Sequence, residues 1–109
     1  MKRGEIVFVQ NDCRKHTGSE QTYSRPAVIV SNNKCNENSP VVEVVFLTTA
    51  KKKFLPTHVL IHSTKYTSVA LCEEIFSVDK SRIEESLGYV SLKEMLQINT
   101  GIAIGLGLI

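Results

Sequence analysis

The order of the hydrophobic periodicities constrains this chain most. β-type runs follow one another from Glu5 to Val78, and helical spacing occurs once, at the end. The clearest run is Val41–Thr48, where Val42, Val44, Phe46 and Thr48 share one face and Val41, Glu43, Val45 and Leu47 the other. Glu5–Gln10, rich in β-branched and aromatic residues, predicts a strand. Pro26 opens Ala27–Val30, an apolar run suited to a strand covered on both faces. His58–Ile61 and Ser68–Leu71 predict two more strands, joined by a polar turn at Ser63-Thr64-Lys65, and Glu74–Val78 a further short one. Asn11–Ser24 and Asn32–Pro40 read as connections, the first long and polar. Asp79 is expected to cap a helical turn through Arg82 and Glu85, ended by Gly88. Ser91 and Glu94 form a capping box, after which Leu92, Met95, Leu96, Ile102, Ala103 and Leu106 recur at helical spacing. Asn99, Gly101, Gly105 and Gly107 weaken the second half of that helix, so packing must hold it. There is no βαβ rhythm and no internal repeat. The pattern predicts a mainly β domain over residues 1–109: an SH3-like barrel with short helical turns and a C-terminal helix.

Composition removes several classes of function. With 42% apolar and 22% charged residues the chain has the means to bury a core, which excludes a disordered protein. No apolar run approaches the roughly 20 residues of a membrane-spanning helix. The stretch Ile6–Val9 after Lys2-Arg3 ends at Gln10, too soon for a secretory signal core, so a cytoplasmic protein is expected. Cys13, Cys35 and Cys72 are odd in number and widely spaced, which suits a reducing compartment rather than a disulfide framework. Cys13 and His16 have ligand-like spacing, but no second Cys/His pair completes a zinc site, and no metal or cofactor is expected. The net charge of +2 is small but unevenly spread: Met1–Lys53 carries nine Lys or Arg against five Asp or Glu. A basic front half can turn a positive face to phosphates while the whole stays nearly neutral.

Local motifs add a more specific reading. In chain order they are Lys2-Arg3-Gly4-Glu5-Ile6-Val7, Gly18-Ser19-Glu20-Gln21 with Arg25-Pro26-Ala27-Val28-Ile29-Val30, Leu47-Thr48-Thr49, Leu55-Pro56-Thr57-His58-Val59, and Leu71-Cys72-Glu73-Glu74-Ile75. The series resembles the MazF/PemK family of toxin endoribonucleases over the whole chain. That resemblance implies a homodimeric CcdB/PemK-type SH3-like barrel that cuts single-stranded RNA, with a cognate antitoxin as partner. It implies that Arg25 is the catalytic arginine and that Thr48 holds the scissile phosphate. It also implies that the polar loop before Arg25 closes over the RNA. Ser19, Glu20 and Gln21 then become candidates for phosphate or base contacts, and Tyr23 for stacking on a splayed base. Thr49, Lys51, Lys52 and Lys53 follow the same strand end, where the lysines can track the RNA backbone.

The chemistry suits the residue types. Metal-free RNA cleavage uses the ribose 2′-oxygen as nucleophile and needs charge stabilisation at a crowded phosphorane. A guanidinium offers a planar fork of N–H donors matched to phosphate oxygens. Its very high pKa makes it a poor general base, so Arg25 is assigned to electrostatic and proton-donor work. Taken alone, an arginine beside a strand or a threonine at its end is an ordinary surface residue; the full series makes the pair functional. His58 and His62 fall in and beside a strand and read as packed or surface histidines. The chain departs from the family at Glu74 and Phe76, where these toxins commonly have glutamine and a basic residue. Glu74 is therefore a candidate for base preference, and both changes reduce attraction to RNA. Two other readings fit the same barrel: a catalytically weak or silent binding module, and a CcdB-like toxin that binds gyrase.

Overall fold

The computed structural model describes residues 1–10, 24–49 and 53–109. Its described strands are β1 (Glu5–Gln10), β2 (Ser24–Ile29), β3 (Val41–Thr48), β4 (His58–Ile61), β5 (Ser68–Leu71), β6 (Phe76–Asp79) and β7 (Ile83–Tyr89), with helices α1 (Asn33–Asn38) and α2 (Leu92–Gly105). The strands form one antiparallel sheet in the order β4-β5-β3-β2-β1-β7, with β6 also paired to β3. The architecture is mainly β and barrel-like with a C-terminal helix, as expected, and the strand path stays open between β4 and β7.

Both faces of this sheet are apolar. One core gathers Ile6, Val28, Val45, Leu47, Ile61 and Ala70 with Ile98 of α2, and a second gathers Val7, Val9, Ala27, Ile29, Val42, Val44 and Val78. The alternation along β3 sorts its residues as the sequence predicts, Val45 and Leu47 to the first core and Val42 and Val44 to the second. Likewise β2 is covered on both faces, with Val28 in one core and Ala27 and Ile29 in the other.

Three local expectations are corrected. Strand β2 begins at Ser24 and passes through Pro26, which pairs with Phe8 of β1. The β2–β3 ladder starts only at Ala27↔Phe46, so on the β3 side Pro26 stands where no ladder bond is needed from its missing N–H. The connection after β2 contains α1: Asn32 caps it by accepting from the Cys35 N–H at 2.8 Å, and buried Asn36 donates to the Ser31 carbonyl at 2.9 Å. Asp79 does cap a turn, but only the 3-10 segment Lys80–Arg82; Ile83–Tyr89 then pairs with β1 as β7. Gly88, expected to stop a helix, instead adopts φ +116 where the β1–β7 register shifts between Ile6↔Gly88 and Val7↔Ser86. This is a bulge, whose positive φ suits glycine.

Helix α2 follows its predicted capping box. Ser91 accepts from the Glu94 N–H, and Glu94 accepts from the Ser91 N–H at 2.9 Å. Glu94 is buried and also accepts from the His62 N–H at 2.6 Å and the Ser63 hydroxyl at 2.5 Å, tying the end of β4 to the start of the helix. Gly101 packs closely on Thr57 and Cys72, the residues that flank β4 and β5. A Cβ there would meet the Thr57 carbonyl at 3.0 Å and Cys72 Cβ and Sγ at 3.1 and 3.2 Å. Neither a backbone carbonyl nor a buried core residue gives way cheaply, which outweighs the helix propensity gained. Gly101→Ala is therefore expected to destabilise by about 1–3 kcal/mol in urea denaturation; a gain in stability would mean that the helix can shift freely. No helix among the described residues is long and apolar enough to cross a membrane.

Candidate functional site

The register of β2 against β3 builds the site. It runs regularly from Ile29↔Val44 to Ala27↔Phe46, and Arg25 and Thr48 each stand two residues beyond the end of that ladder, on β2 and β3 respectively. Alternation puts both on the face of the second core, opposite the face that carries α2. Beyond Phe46 strand β3 pairs with β5 instead, through Leu47↔Ala70 and Thr48↔Val69.

The Arg25 guanidinium sits over the Phe46 ring, 4.7 Å from its centroid. Such a contact is worth about 0.5–2 kcal/mol and fixes the plane of the cation while leaving its N–H edge for other partners. Phe76 meets Phe46 edge-on, with centroids 5.4 Å apart and planes at 64°. Together with Val9, Ser77, Val78 and Arg82 these residues line a cleft of about 240 Å³. Arg82 is oriented by an Nε donation to the Gln10 carbonyl at 2.7 Å. No carboxylate is among the described residues lining the cleft. Two guanidiniums with no carboxylate in the described wall make it receptive to an anion, with Asp79 beside Arg82 and Glu43 bonded to Ser77 just outside it.

The predicted residues thus divide. Arg25 lines the cleft, and Thr48 ends the neighbouring strand on the same face, half-buried. Thr49 and Lys53 are exposed and do not line the cleft. Glu74 is exposed in the turn between β5 and β6, where its N–H donates to the Leu71 carbonyl at 3.1 Å, and it too is absent from the cleft wall. Ser19, Glu20, Gln21, Tyr23, Lys51 and Lys52 lie outside the described residues, as do Cys13 and His16. Sequence reasoning passed over Phe46 as a support for Arg25, and Arg82, which it had put in a helical turn. Both contacts depend on cross-strand register, for which a single sequence carries no local signal.

The conspicuous histidine is used structurally. Leu55 donates its N–H to His58 Nδ1 at 3.2 Å, which leaves the ring proton on Nε2, 3.1 Å from Glu73 Oε2. Thr57 donates its hydroxyl to the other Glu73 oxygen at 2.9 Å. Partial burial raises the Glu73 pKa, but its own backbone N–H, Thr57 and His58 outweigh that and hold it below the usual carboxylate range. Burial, followed by the Glu73 charge, pushes the Cys72 thiol up to about 12, so it is an inert core group. Among the described residues no three His, Cys, Asp or Glu side chains are grouped to hold a metal ion. A larger groove, about 1190 Å³, runs between α2 and the segment around β4; Phe54, Leu60, Leu92 and Leu96 line it and are exposed.

Fold and site together define a small barrel-like β protein with an anion-receptive cleft on the sheet face away from its C-terminal helix. Residues 2–106 match the family described as PemK-like, MazF-like toxin of type II toxin-antitoxin system, and the chain belongs to that family. It is 42% identical to an endoribonuclease MazF of Staphylococcus saprophyticus, over 99% of this chain and 92% of the relative. The same name is carried by a Staphylococcus epidermidis relative at 37% identity, again over 99% and 92%. Among solved structures, a mycobacterial endoribonuclease in complex with its cognate antitoxin superimposes with a TM-score of 0.81 at 30% identity, covering 100% of this chain and 97% of that one.

Proposed function

We propose that this chain is a toxin endoribonuclease that cuts single-stranded RNA without a metal ion, leaving a 2′,3′-cyclic phosphate and a 5′-hydroxyl. The observation that supports the reading is the Arg25 guanidinium, held on Phe46 in a cleft with no carboxylate among its described lining residues, on the same sheet face as Thr48. In the reaction the 2′-hydroxyl gives its proton to solvent water, the 2′-oxygen attacks phosphorus, and the P–O5′ bond breaks as the 5′-oxygen takes up a proton. Negative charge grows on the equatorial oxygens as the phosphorane forms. Arg25 offers N–H donors to that charge and proton-donor character toward the leaving oxygen, and Thr48 adds a hydroxyl bond to a phosphate oxygen. Ser19, Glu20, Gln21, Tyr23, Thr49, Lys51, Lys52, Lys53 and Glu74 serve as RNA contacts in this reading.

A cognate antitoxin is the protein partner, by analogy with the mycobacterial complex, and the location is the cytoplasm. Leu92, Leu96, Phe54 and Leu60 expose apolar surface along one groove, which supports a homodimer that covers part of it. The test is incubation of the purified protein with a long RNA in EDTA, with end-group analysis of the products and sedimentation of the same sample. Cleavage with cyclic-phosphate ends by a dimer is expected. Activity lost in EDTA and restored by a divalent ion would refute the metal-free reaction, and a stable monomer at micromolar concentration would refute the dimer.

A further inference from the structure

From sequence Phe76 counts only as an uncharged aromatic where the family resemblance leads one to expect a cation. The structure supplies two facts that change its meaning. Arg82 enters the same cleft from the turn after β6, so a second positive charge is present without a basic residue at position 76. The Phe76 ring is also 45% exposed, although its partner across the ladder, Val44, is fully buried. An aromatic ring beside two guanidiniums, with one face of the cleft open, matches the alternation of base and phosphate in a single-stranded nucleic acid. At about 240 Å³ the cleft is smaller than the roughly 300–1,000 Å³ of an ordinary ligand pocket. It therefore suits one nucleotide rather than a longer stretch.

The geometry points to Phe76 as the stacking platform for the nucleobase next to the phosphate held at Arg25, and so as a residue that sets which RNA sites are cut. This rests on the endoribonuclease reading above. Phe46 contacts both groups, with the Arg25 guanidinium over its ring and Phe76 in a T-shaped contact at 5.4 Å, so the distance between base platform and phosphate donor is set by one buttressed side chain. Stacking is tolerant of base identity but strongest for purines, so the platform biases the cut toward sites with a well-stacking base at that position.

The experiment first maps a cut site on a long RNA. Short single-stranded RNAs are then made with 2-aminopurine on either side of that site, with and without a 2′-deoxy sugar that blocks cleavage. The blocked RNA is expected to lose 2-aminopurine fluorescence on binding the unsubstituted protein and to keep it with Phe76→Ala. For the cleavable RNA, Phe76→Ala is expected to raise KM about 5- to 100-fold with little change in kcat, and Phe76→Trp to restore both quenching and KM. Unchanged KM and quenching in Phe76→Ala, beside normal cleavage by the unsubstituted protein, would overturn the stacking role alone. A fall in kcat at constant KM would also overturn it, by making Phe76 a support for Arg25. If the unsubstituted protein cuts no RNA, the endoribonuclease reading fails and this inference falls with it.

Discussion

Arg25→Ala is expected to lower the RNA cleavage rate constant by about 10²–10³-fold while changing RNA affinity only a few-fold. The asymmetry follows from where the guanidinium does most. Ground-state phosphate already carries one negative charge, which Arg82 also attracts. The phosphorane adds charge that only a donor fixed in advance can meet without reorganising. Phe46 provides that fixing through the ring contact at 4.7 Å. Arg25 is half-buried, and among the described residues its loss strands no buried carboxylate, so the fold should survive. Single-turnover cleavage together with binding to a 2′-deoxy-blocked RNA separates the two quantities. An equal loss in both would reassign Arg25 to substrate anchoring.

The largest effect on stability is expected at Glu94. Its carboxylate is buried and accepts from the His62 N–H, the Ser63 hydroxyl and the Ser91 N–H, so Glu94→Ala strands donors at two elements at once. A charge-assisted hydrogen bond contributes about 1.5–3 kcal/mol, and an orphaned buried donor costs a similar amount; relaxation and water entry offset part of this. The net loss should be on the order of 3 kcal/mol by urea denaturation at matched protein concentration. Burial by itself raises the Glu94 pKa, but the donors from Ser63, His62 and Ser91 outweigh it and hold the group below the usual range. A carboxylate lowered in the folded state contributes its stability above its unfolded pKa, roughly 4.3, and loses it as pH falls through the folded value. Glu94→Gln should therefore flatten the stability curve in acid relative to the unsubstituted protein. An unchanged acid limb would show that other carboxylates, such as Glu73, govern it.

The elements legible in advance were those whose cause is local. Strand β3 declares itself by strict alternation between two apolar faces, and α2 by a capping box three residues wide. Strand β7 shows the opposite case. Ile83-Glu84-Glu85-Ser86-Leu87-Gly88-Tyr89 follows a helix-capping aspartate and has little β character, yet it pairs with β1 across a bulge. There the unpaired edge of β1 decided the conformation, not the residues' own preferences. Helix α1 is similar: Asn33–Asn38 has weak helical propensity, and side-chain bonds from Asn32 and Asn36 hold it.

The site divides along the same line. Sequence alone marked Arg25 and Thr48, through motif order, and it determined the mainly β architecture, the strand faces and the capped final helix, because periodicity and capping act within a few residues. It did not show that Arg25 stands on Phe46, that Phe76 edges the same ring, or that Arg82 turns into the same cleft. Those contacts join β2, β3, β6 and the turn after it, segments up to 57 positions apart in the chain from Arg25 to Arg82. Only the register of one strand against another brings them together, and register is set by which apolar faces the whole sheet buries.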